Sequence, residues 1–329
     1  MNMRIQSTEN VTEIRWTGIC KACPYCTFFH SPAWYNTISS YLGIKYIPVS
    51  ERIVFSDGSS ALVVYLRRRG LFDLYSIRQS SPFGTYGGWI STDTLDSTKA
   101  ALLGKYLTAR RSVEWRENPF DPVLGSCEIP GAQNDFTQVI DLTRSKDQLF
   151  EASSHAHHKA LQRAQREGII TREASSAEEW KAYYGIYEDS IRRWRSHGPT
   201  LEPRIIYRYE LFEKLRAQQD TCRLWIAIKD QTIIAGIVVF YWNAHAVAWH
   251  GAALSDYFQM RPNNILYWTA ICDAQSRGYR RFDCNPSGGY EGVAQFKEHL
   301  GAQKKRSRLF RRQTPAAKLV LGIRSLLLH

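Results

Sequence analysis

The chain has 329 residues, of which 44% are hydrophobic, and its formal net charge is +12. This length corresponds to about two domains, and this hydrophobic content excludes a disordered or fibrous protein. No apolar run approaches the roughly 18 residues that span a bilayer, and the first residues lack the pattern of a secretory signal, so the sequence predicts a cytoplasmic protein.

The positive charge is concentrated in the second half of the chain. Residues 136–329 hold 29 Lys and Arg against 19 Asp and Glu, whereas residues 1–135 hold 14 against 12. Such a bias favours a polyanionic partner, which is nucleic acid, a nucleotide-linked substrate or anionic lipid, because each cation can neutralise a phosphate and release counterions. The alternative is a charge that only maintains solubility.

The first 135 residues predict helices and strands in alternation. A helix begins with Ser31 as N-cap and Pro32 at the first helical position, and it extends to about residue 42. An Asp-Gly dipeptide at 57–58 predicts a hairpin between two strands. The glycine-rich stretch "SPFGTYGG" and a helix near 97–110 follow, so this half is predicted to be a domain of mixed α/β character.

Residues 118–135 are dense in Pro, Gly, Asn and Asp and predict a connection between domains. A strand and a helix over 145–168 follow, then two further helices and a run of antiparallel strands over 222–253, and finally helix, strand, helix and strand. We therefore predict a first domain over 1–135, a second over 136–312, and an apolar tail over 313–329 that either lies on a membrane surface or packs on the body.

Several motifs of the second half occur in an order that resembles a known family. The strands of "WIAIKDQTIIAGIVVFYWNAHAVAWHGAAL" precede "RPNNILYWTAICDAQSRGYRRFDCN" and then "GVAQFKEHLGA". The last stretch is similar to a Phe-Lys-x-x-Phe-Gly-Ala signature, with Leu300 in place of the second aromatic residue. Together with the basic helix before Gly168 and the Tyr-Gly-Gly of "SPFGTYGG", these motifs resemble the FemABX-like family, a branch of the GNAT superfamily.

The resemblance implies a mixed α/β fold with two GNAT-like N-acyltransferase domains in tandem, each a central mixed sheet flanked by helices. It implies an enzyme that moves an aminoacyl group from aminoacyl-tRNA, as co-substrate and without a bound cofactor, to an amine of a peptide, a cell-wall precursor or a natural product. Two alternatives stay open. One is an acyltransferase that uses an acyl-CoA or carrier-protein thioester, and the other is a non-catalytic module that binds RNA or a membrane.

Lys297 is the predicted catalytic residue. Attack of an amine on an ester produces an oxyanion, which a preorganised cation stabilises, and Phe296 would supply an apolar wall beside it. Asp256 is the favoured general base among the titratable groups near the cleft, which also include His250, Asp283 and Glu291, although a ribose hydroxyl of the donor can also carry the proton. The alternatives are a lysine on an amphipathic helix beside a solvated basic strand and an aspartate that caps a turn.

Six basic residues are predicted to bind the phosphates of the donor, and they are Arg261, Lys304, Lys305, Arg306, Arg308 and Arg311. An acetyl-CoA-dependent GNAT domain holds the pyrophosphate in a glycine-rich turn at a helix N-terminus. The corresponding stretch here contains Pro262 and two asparagines, which favours a donor held by side chains, such as tRNA.

Acceptor binding is assigned to Arg192 and Arg193, which can grip phosphates, and to Tyr86 and Trp34 of the first domain. A solvated helix face is the alternative reading for the two arginines. Family members that act on nucleotide-linked muropeptides tend to have a lysine shortly after the tryptophan, and "YNTISSYLG" follows Trp34 instead, so the acceptor stays open.

No metal centre is predicted. The seven cysteines favour free thiols, but Cys20, Cys23, Cys26 and His30 have a spacing that mimics a zinc or iron-sulfur run. The three histidines at 155, 157 and 158 do not share one helix face, so they are assigned to a basic helix surface.

Overall fold

The computed structural model describes residues 2–69, 76–109, 112–196 and 206–312, and the chain divides into two compact units. Unit 1 contains the residues up to Phe136 together with those from Arg306 on, and unit 2 contains Thr137–Lys305. The predicted second domain extended to residue 312. The difference lies in the last strand, because residues from Leu309 on pair antiparallel with residues 113–116 of unit 1.

Strands and helices alternate along the chain. The strands are β1 (Ile5–Asn10), β2 (Tyr46–Phe55), β3 (Ser60–Arg69), β4 (Ser76–Gln79), β5 (Gly88–Ile90), β6 (Ser112–Arg116), β7 (Gln133–Asp141), β8 (Ile170–Glu173), β9 (Cys222–Lys229), β10 (Thr232–Trp242), β11 (His245–Ala253), β12 (Arg281–Asp283) and β13 (Gln303–Arg312). The α-helices are α1 (Glu13–Ala22), α2 (Pro32–Leu42), α3 (Ser97–Thr108), α4 (Lys146–Ala152), α5 (His155–Arg166), α6 (Ala177–Ser196), α7 (Tyr209–Arg216), α8 (Pro262–Ser276) and α9 (Glu291–His299). Short 3₁₀ helices cover Phe28–His30, Pro82–Gly84 and Ser255–Met260.

The sheet of unit 1 runs in the order β1–β2–β3–β4–β6–β13, and β5 also pairs with β3. Its neighbours are antiparallel except for β4 and β6, which are parallel. A parallel pair requires a crossover, which α3 provides. Apolar residues of α3 and the strands, among them Leu103 and Trp115, form the core of this unit.

The sheet of unit 2 runs in the order β7–β12–β11–β10–β9–β8. Here β11 and β12 are the parallel pair, with α8 as crossover, and the other pairs are antiparallel. Gly236 of β10 faces the Tyr183 ring of α6, whereas the next residue, Ile237, belongs to the core beneath α8. Because successive strand residues point to opposite faces, helices cover this sheet on both sides.

The structure corrects the predicted helix over 145–168. It consists of α4 and α5, because the Ser154 side chain accepts the His157 N–H and begins a second helix after the α4 C-cap at Ser153. Strand β1 and helix α1 were not predicted from the sequence; the weak amphipathicity of α1 explains part of this, since its buried residues are only Trp16 and Cys20.

Other local predictions are confirmed. Ser31 caps α2 by accepting the Trp34 N–H, and Pro32 occupies its first position. The turn after β10 has Asn243 at a positive φ of 48°, a conformation that asparagine adopts readily. None of the helices in the described ranges is long and apolar enough to cross a membrane. The predicted tail over 313–329 lies outside the described residues.

Candidate active site

The candidate site lies where the parallel strands of unit 2 separate. Strand β12 pairs with β11 only from His245↔Arg281 to Val247↔Asp283. Strand β11 continues to Ala253 along β10, whereas strand β12 ends at Asp283 and leaves the sheet. In open α/β sheets, ligands bind outside the carboxyl ends of the parallel strands, so this divergence marks the first place to look for a site.

Lys297 is the only buried residue of α9, and its side chain points inward from a helix that is otherwise exposed or half-buried. Its Nζ donates a hydrogen bond to the carbonyl oxygen of Asn285 at 2.6 Å. Burial lowers the pKa of the Lys297 amine, an effect that the nearby Cys284 and Asp283 oppose. No carboxylate of the described residues lies within 4.0 Å of this amine, so burial is not compensated by an ion pair.

The ammonium form of lysine has three N–H donors, and one of them is used by Asn285. The remaining two make no hydrogen bond to any described residue. Burial of an amine with unused donors lowers the stability of the folded protein. The same donors can form hydrogen bonds to an oxyanion that develops during acyl transfer.

Asn285 follows β12 in a left-handed conformation, with φ of 62°. Its N–H donates to Asp283 Oδ1 at 2.8 Å, and Thr137 Oγ1 donates to the same oxygen at 2.5 Å. This Asx-type turn orients the Asn285 carbonyl towards Lys297. Asp283 is thus fully buried and supports the turn, and its placement argues against a role as the general base.

An aromatic pair joins α9 and α8. The rings of Phe296, which precedes Lys297 in the chain, and Tyr267 meet edge to face with centroids 5.3 Å apart, and both side chains pack against the core of unit 2. A Cβ at Gly251 of β11 would lie 3.5 Å from the Tyr267 hydroxyl, which is an ordinary van der Waals distance. Burial raises the pKa of Tyr267, so its hydroxyl is neutral at ordinary pH.

Tyr267 and Asn285 were not predicted from the sequence. Asp-x-Asn directly after a short strand is a signal for an Asx turn and could have identified Asn285. Tyr267 gives no comparable signal, because an aromatic residue on a helix is usually a core residue.

The other candidate bases are placed as follows. His250 is held by Tyr183, whose hydroxyl lies 2.6 Å from His250 Nδ1, and burial lowers the pKa of His250 to about 3. Asp256 is exposed on the 3₁₀ helix after β11, and its carboxylate accepts a hydrogen bond from Ser255 Oγ at 3.4 Å. Glu291 is exposed at the start of α9. None of these three side chains makes a hydrogen bond or ion pair with the Lys297 amine.

The predicted donor-binding residues divide into an exposed group and one buried member. Lys304, Lys305 and Arg306 are exposed; Lys304 pairs with Glu298 at 3.0 Å. Arg311 pairs with Glu114 at 2.9 Å on the surface, and Arg261 is the exposed N-cap of α8, with φ of 63°.

Arg308 differs, because it is buried and forms a two-pronged ion pair with Glu117 in unit 1. Its Nη1 also donates to the Cys127 carbonyl at 2.8 Å. Each of the three guanidinium nitrogens of Arg308 therefore donates to a protein oxygen. This pairing argues against the predicted contact with phosphates of the acyl donor.

The predicted acceptor-binding residues differ in burial: the two arginines lie at the surface or half-buried, and the two aromatic residues are buried. Arg192 is exposed beside Asp189, and Arg193 shares Asp189 while its guanidinium lies 4.9 Å from the Phe258 ring centroid. Trp34 and Tyr86 are fully buried in the aromatic core of unit 1, where each packs against Phe29. Their burial argues against direct contact with an acceptor.

The cysteine run of unit 1 is buried. The Cys20 thiol donates to the His30 carbonyl at 3.3 Å, the Cys26 thiol to the Thr27 carbonyl at 3.4 Å, and burial raises the pKa of Cys23 to about 11. The raised pKa disfavours the Cys23 thiolate, which is the form that metal ligation requires. Within the described ranges, no cluster of three or more His, Cys, Asp or Glu has the geometry of a metal site.

Residues 154–298 match a family model described as an acetyltransferase (GNAT) domain. Unit 2 therefore carries a GNAT-type domain, the fold of N-acyltransferases, and the residues of the candidate site between Asn285 and Lys297 lie within the matched range. No curated protein matches the chain in sequence.

Solved structures are similar over nearly the whole chain. A crystal structure of FemX is similar over 96% of this chain and 100% of its own, with 11% identity and a TM-score of 0.68. The C-terminal domain of a putative lysylphosphatidylglycerol synthetase from Agrobacterium fabrum covers 96% and 98%, with 12% identity and a TM-score of 0.52. A conserved protein of unknown function from Bacteroides thetaiotaomicron covers 94% and 100%, with 9% identity and a TM-score of 0.54. The predicted fold class, mixed α/β with GNAT-like domains in tandem, is confirmed.

Proposed function

We propose that this protein is a FemABX-like N-acyltransferase that moves an aminoacyl group from aminoacyl-tRNA to an amine of a peptide, a cell-wall precursor or a natural product. The observation that carries the proposal is the buried Lys297 amine at the point where β11 and β12 separate, since two of its donors have no acceptor among the described residues. A cation in this position would stabilise the oxyanion of acyl transfer.

The proposed reaction balances without an additional reactant. The acceptor nitrogen attacks the ester carbonyl carbon, a C–N bond forms, and the carbonyl oxygen becomes an oxyanion that accepts hydrogen bonds from Lys297. The C–O bond to the ribose then breaks, and one proton passes from the amine nitrogen to the departing ribose oxygen. Because the leaving group accepts that proton, a protein base is not required, and Asp256→Asn is expected to leave turnover within about threefold.

Three features support an aminoacyl-tRNA donor. The first is the likeness to FemX and to a domain of a synthetase whose product, lysylphosphatidylglycerol, carries an aminoacyl group. The second is the exposed cations of unit 2, Lys304 and Lys305, which suit a phosphate backbone. The third is the start of α8, where Pro262 removes an N–H that a pyrophosphate site would use.

A thioester donor is the second candidate, favoured by the match to an acetyltransferase domain. A non-catalytic module that binds RNA or a membrane is the third, and it would keep the basic surface without turnover. A cytoplasmic location, with peripheral membrane contact through residues 313–329, belongs to the same proposal.

The test is a transfer assay on the full-length protein. It is incubated with total tRNA charged with all amino acids, and with two acceptor amines, a lysine-containing pentapeptide and glucosamine. A mass increase of the acceptor by one aminoacyl residue, abolished by RNase, is the expected result. Product that survives RNase and requires acyl-CoA instead would overturn the tRNA donor, and salt-sensitive RNA binding without any product would indicate the non-catalytic module.

A further inference from the structure

We infer that Asn285 binds the acceptor amine through its side-chain oxygen, directly beside the Lys297 ammonium. The inference rests on the proposed acyl transfer and assigns a second residue to the same site. It concerns the side chain of Asn285, whereas the contact with Lys297 described above uses the main-chain carbonyl.

The backbone of Asn285 is held by its surroundings. Its φ of 62° is a left-handed conformation that asparagine tolerates better than most residues other than glycine. The hydrogen bond from the Asn285 N–H to the buried Asp283 keeps this backbone in place at the end of β12.

The side-chain oxygen of Asn285 is unpaired in the part of the chain that the structure describes. Oδ1 is buried and accepts from no described residue, and an unsatisfied buried acceptor costs about 1–3 kcal/mol. Buried polar groups in native proteins are nearly always paired, so an exception calls for an explanation. A ligand that brings an N–H donor to Oδ1 supplies that partner.

The chemistry of acyl transfer requires an acceptor and a donor side by side. In the tetrahedral intermediate, the oxyanion and the attacking nitrogen are bonded to the same carbon. Lys297 has unused N–H donors for the oxyanion, and Asn285 has an unused oxygen for the N–H of the nitrogen. The Asn285 side-chain oxygen can accept an N–H of the attacking nitrogen but has no proton to offer the oxyanion, so Asn285 and Lys297 have complementary roles.

The competing explanation is that asparagine is present only because it tolerates a positive φ. Asn285→Gly separates the two roles, because glycine adopts this conformation without cost, keeps the main-chain carbonyl that holds Lys297, and removes only the amide. The chain offers a matched control in Asn243→Gly, since Asn243 is another asparagine of unit 2 at positive φ, in the exposed turn between β10 and β11.

The experiment measures steady-state transfer from the charged tRNA pool to the pentapeptide and to glucosamine. We expect Asn285→Gly to raise the KM of the productive amine, or to lower kcat/KM for it, by about tenfold or more, with the KM for charged tRNA within twofold. Asn285→Asp, which tolerates the same backbone and keeps an acceptor oxygen, should bind the amine more tightly than the glycine variant does. Asn243→Gly should match the wild type in both constants.

An Asn285→Gly enzyme with wild-type constants for the amine overturns the inference, and so does an equal loss for amine and tRNA, which would indicate a structural role. In both cases the wild-type enzyme is active and the proposed function stands. A wild-type protein that transfers to neither amine overturns the proposed function, and the role of Asn285 with it.

Discussion

The parallel strands of the two units end in different ways. In unit 1, the residue after β4 is Ser80, whose Oγ donates to the Val64 carbonyl and accepts the Gly88 N–H, while its own carbonyl accepts from Tyr35. Gly87 packs so closely that a Cβ there would overlap the Ser80 carbonyl. In unit 2, the chain leaves the sheet after β12, and the Asn285 carbonyl at this place accepts a hydrogen bond from Lys297 Nζ.

The end of β4 in unit 1 is thus closed by tight backbone packing, whereas the end of β12 in unit 2 is open, with a buried amine that is incompletely paired among the described residues. The closed end explains why "SPFGTYGG" is rich in glycine, because a side chain at Gly87 would meet the Ser80 backbone. This contrast supports the proposal that the chemistry belongs to unit 2, and the predictions below test it from the largest expected effect to the smallest.

Removal of Lys297 should have the largest effect. Lys297→Ala is expected to lower kcat for transfer by about 100- to 1000-fold, the usual loss for one oxyanion donor, measured as product formed from charged tRNA. The matched control is Lys99→Ala in unit 1, another buried lysine, whose Nζ pairs with Asp57 at 2.7 Å. Transfer by the control should stay within about twofold; equal losses in both variants would contradict a catalytic role.

Alanine substitutions of Gly87 and Gly251 test how tightly the strands are packed in unit 1 and in unit 2. Gly87→Ala should lower the free energy of unfolding by about 3 kcal/mol, because the new methyl group meets the backbone of Ser80. Gly251→Ala should lower it by less, because the nearest neighbour, the Ile237 Cγ2 methyl group, lies 3.1 Å away and needs to shift by only a few tenths of an ångström. Denaturant titration measures the free energy of unfolding of both variants. Similar losses in the two variants would refute the contrast in packing between unit 1 and unit 2.

Lys297→Met is expected to stabilise the protein by about 1 kcal/mol. The amine is buried without a carboxylate partner, so an apolar chain of similar length removes the cost of desolvating the charge. Lys99→Met should do the opposite, because it breaks the pair with Asp57. Urea unfolding midpoints distinguish the two signs, and a loss of stability in Lys297→Met would indicate a structural lysine.

The smallest effect concerns pH. A hydrogen bond from Lys99, followed by one from Ser59, lowers the pKa of Asp57 to about 2 from its ordinary 3.8. A lowered carboxyl pKa contributes stability that is complete above the unfolded value and is lost as the pH falls through the folded value. The difference in thermal midpoint between wild type and Lys99→Met should therefore be constant above about pH 4 and shrink towards pH 2; a constant difference at acid pH would contradict this.

Patterns that are local in sequence predicted much of the structure. Ser31 and Pro32 predicted the start of α2, and Asp57 with Gly58 predicted the hairpin of β2 and β3, because caps and turns depend on a few neighbouring residues. Lys297 and Phe296 were predicted from a motif, and the structure buries Lys297 where it contacts the Asn285 carbonyl after β12. The single helix predicted over 145–168 shows the limit of periodicity, since a serine cap interrupted an otherwise continuous pattern.

The sequence by itself predicted the fold class, the order of strands and helices from residue 222 on, and Lys297 as the residue to test by mutation. Only the tertiary structure decided that Arg308 is paired inside unit 1, that Trp34 and Tyr86 are core residues, and that Asn285 accepts a hydrogen bond from Lys297. The physical reason is that burial and pairing depend on residues distant in the chain: Arg308 and Glu117 are 191 positions apart. The sequence alone does not distinguish a basic residue that is solvated from one that is paired with a carboxylate in the core.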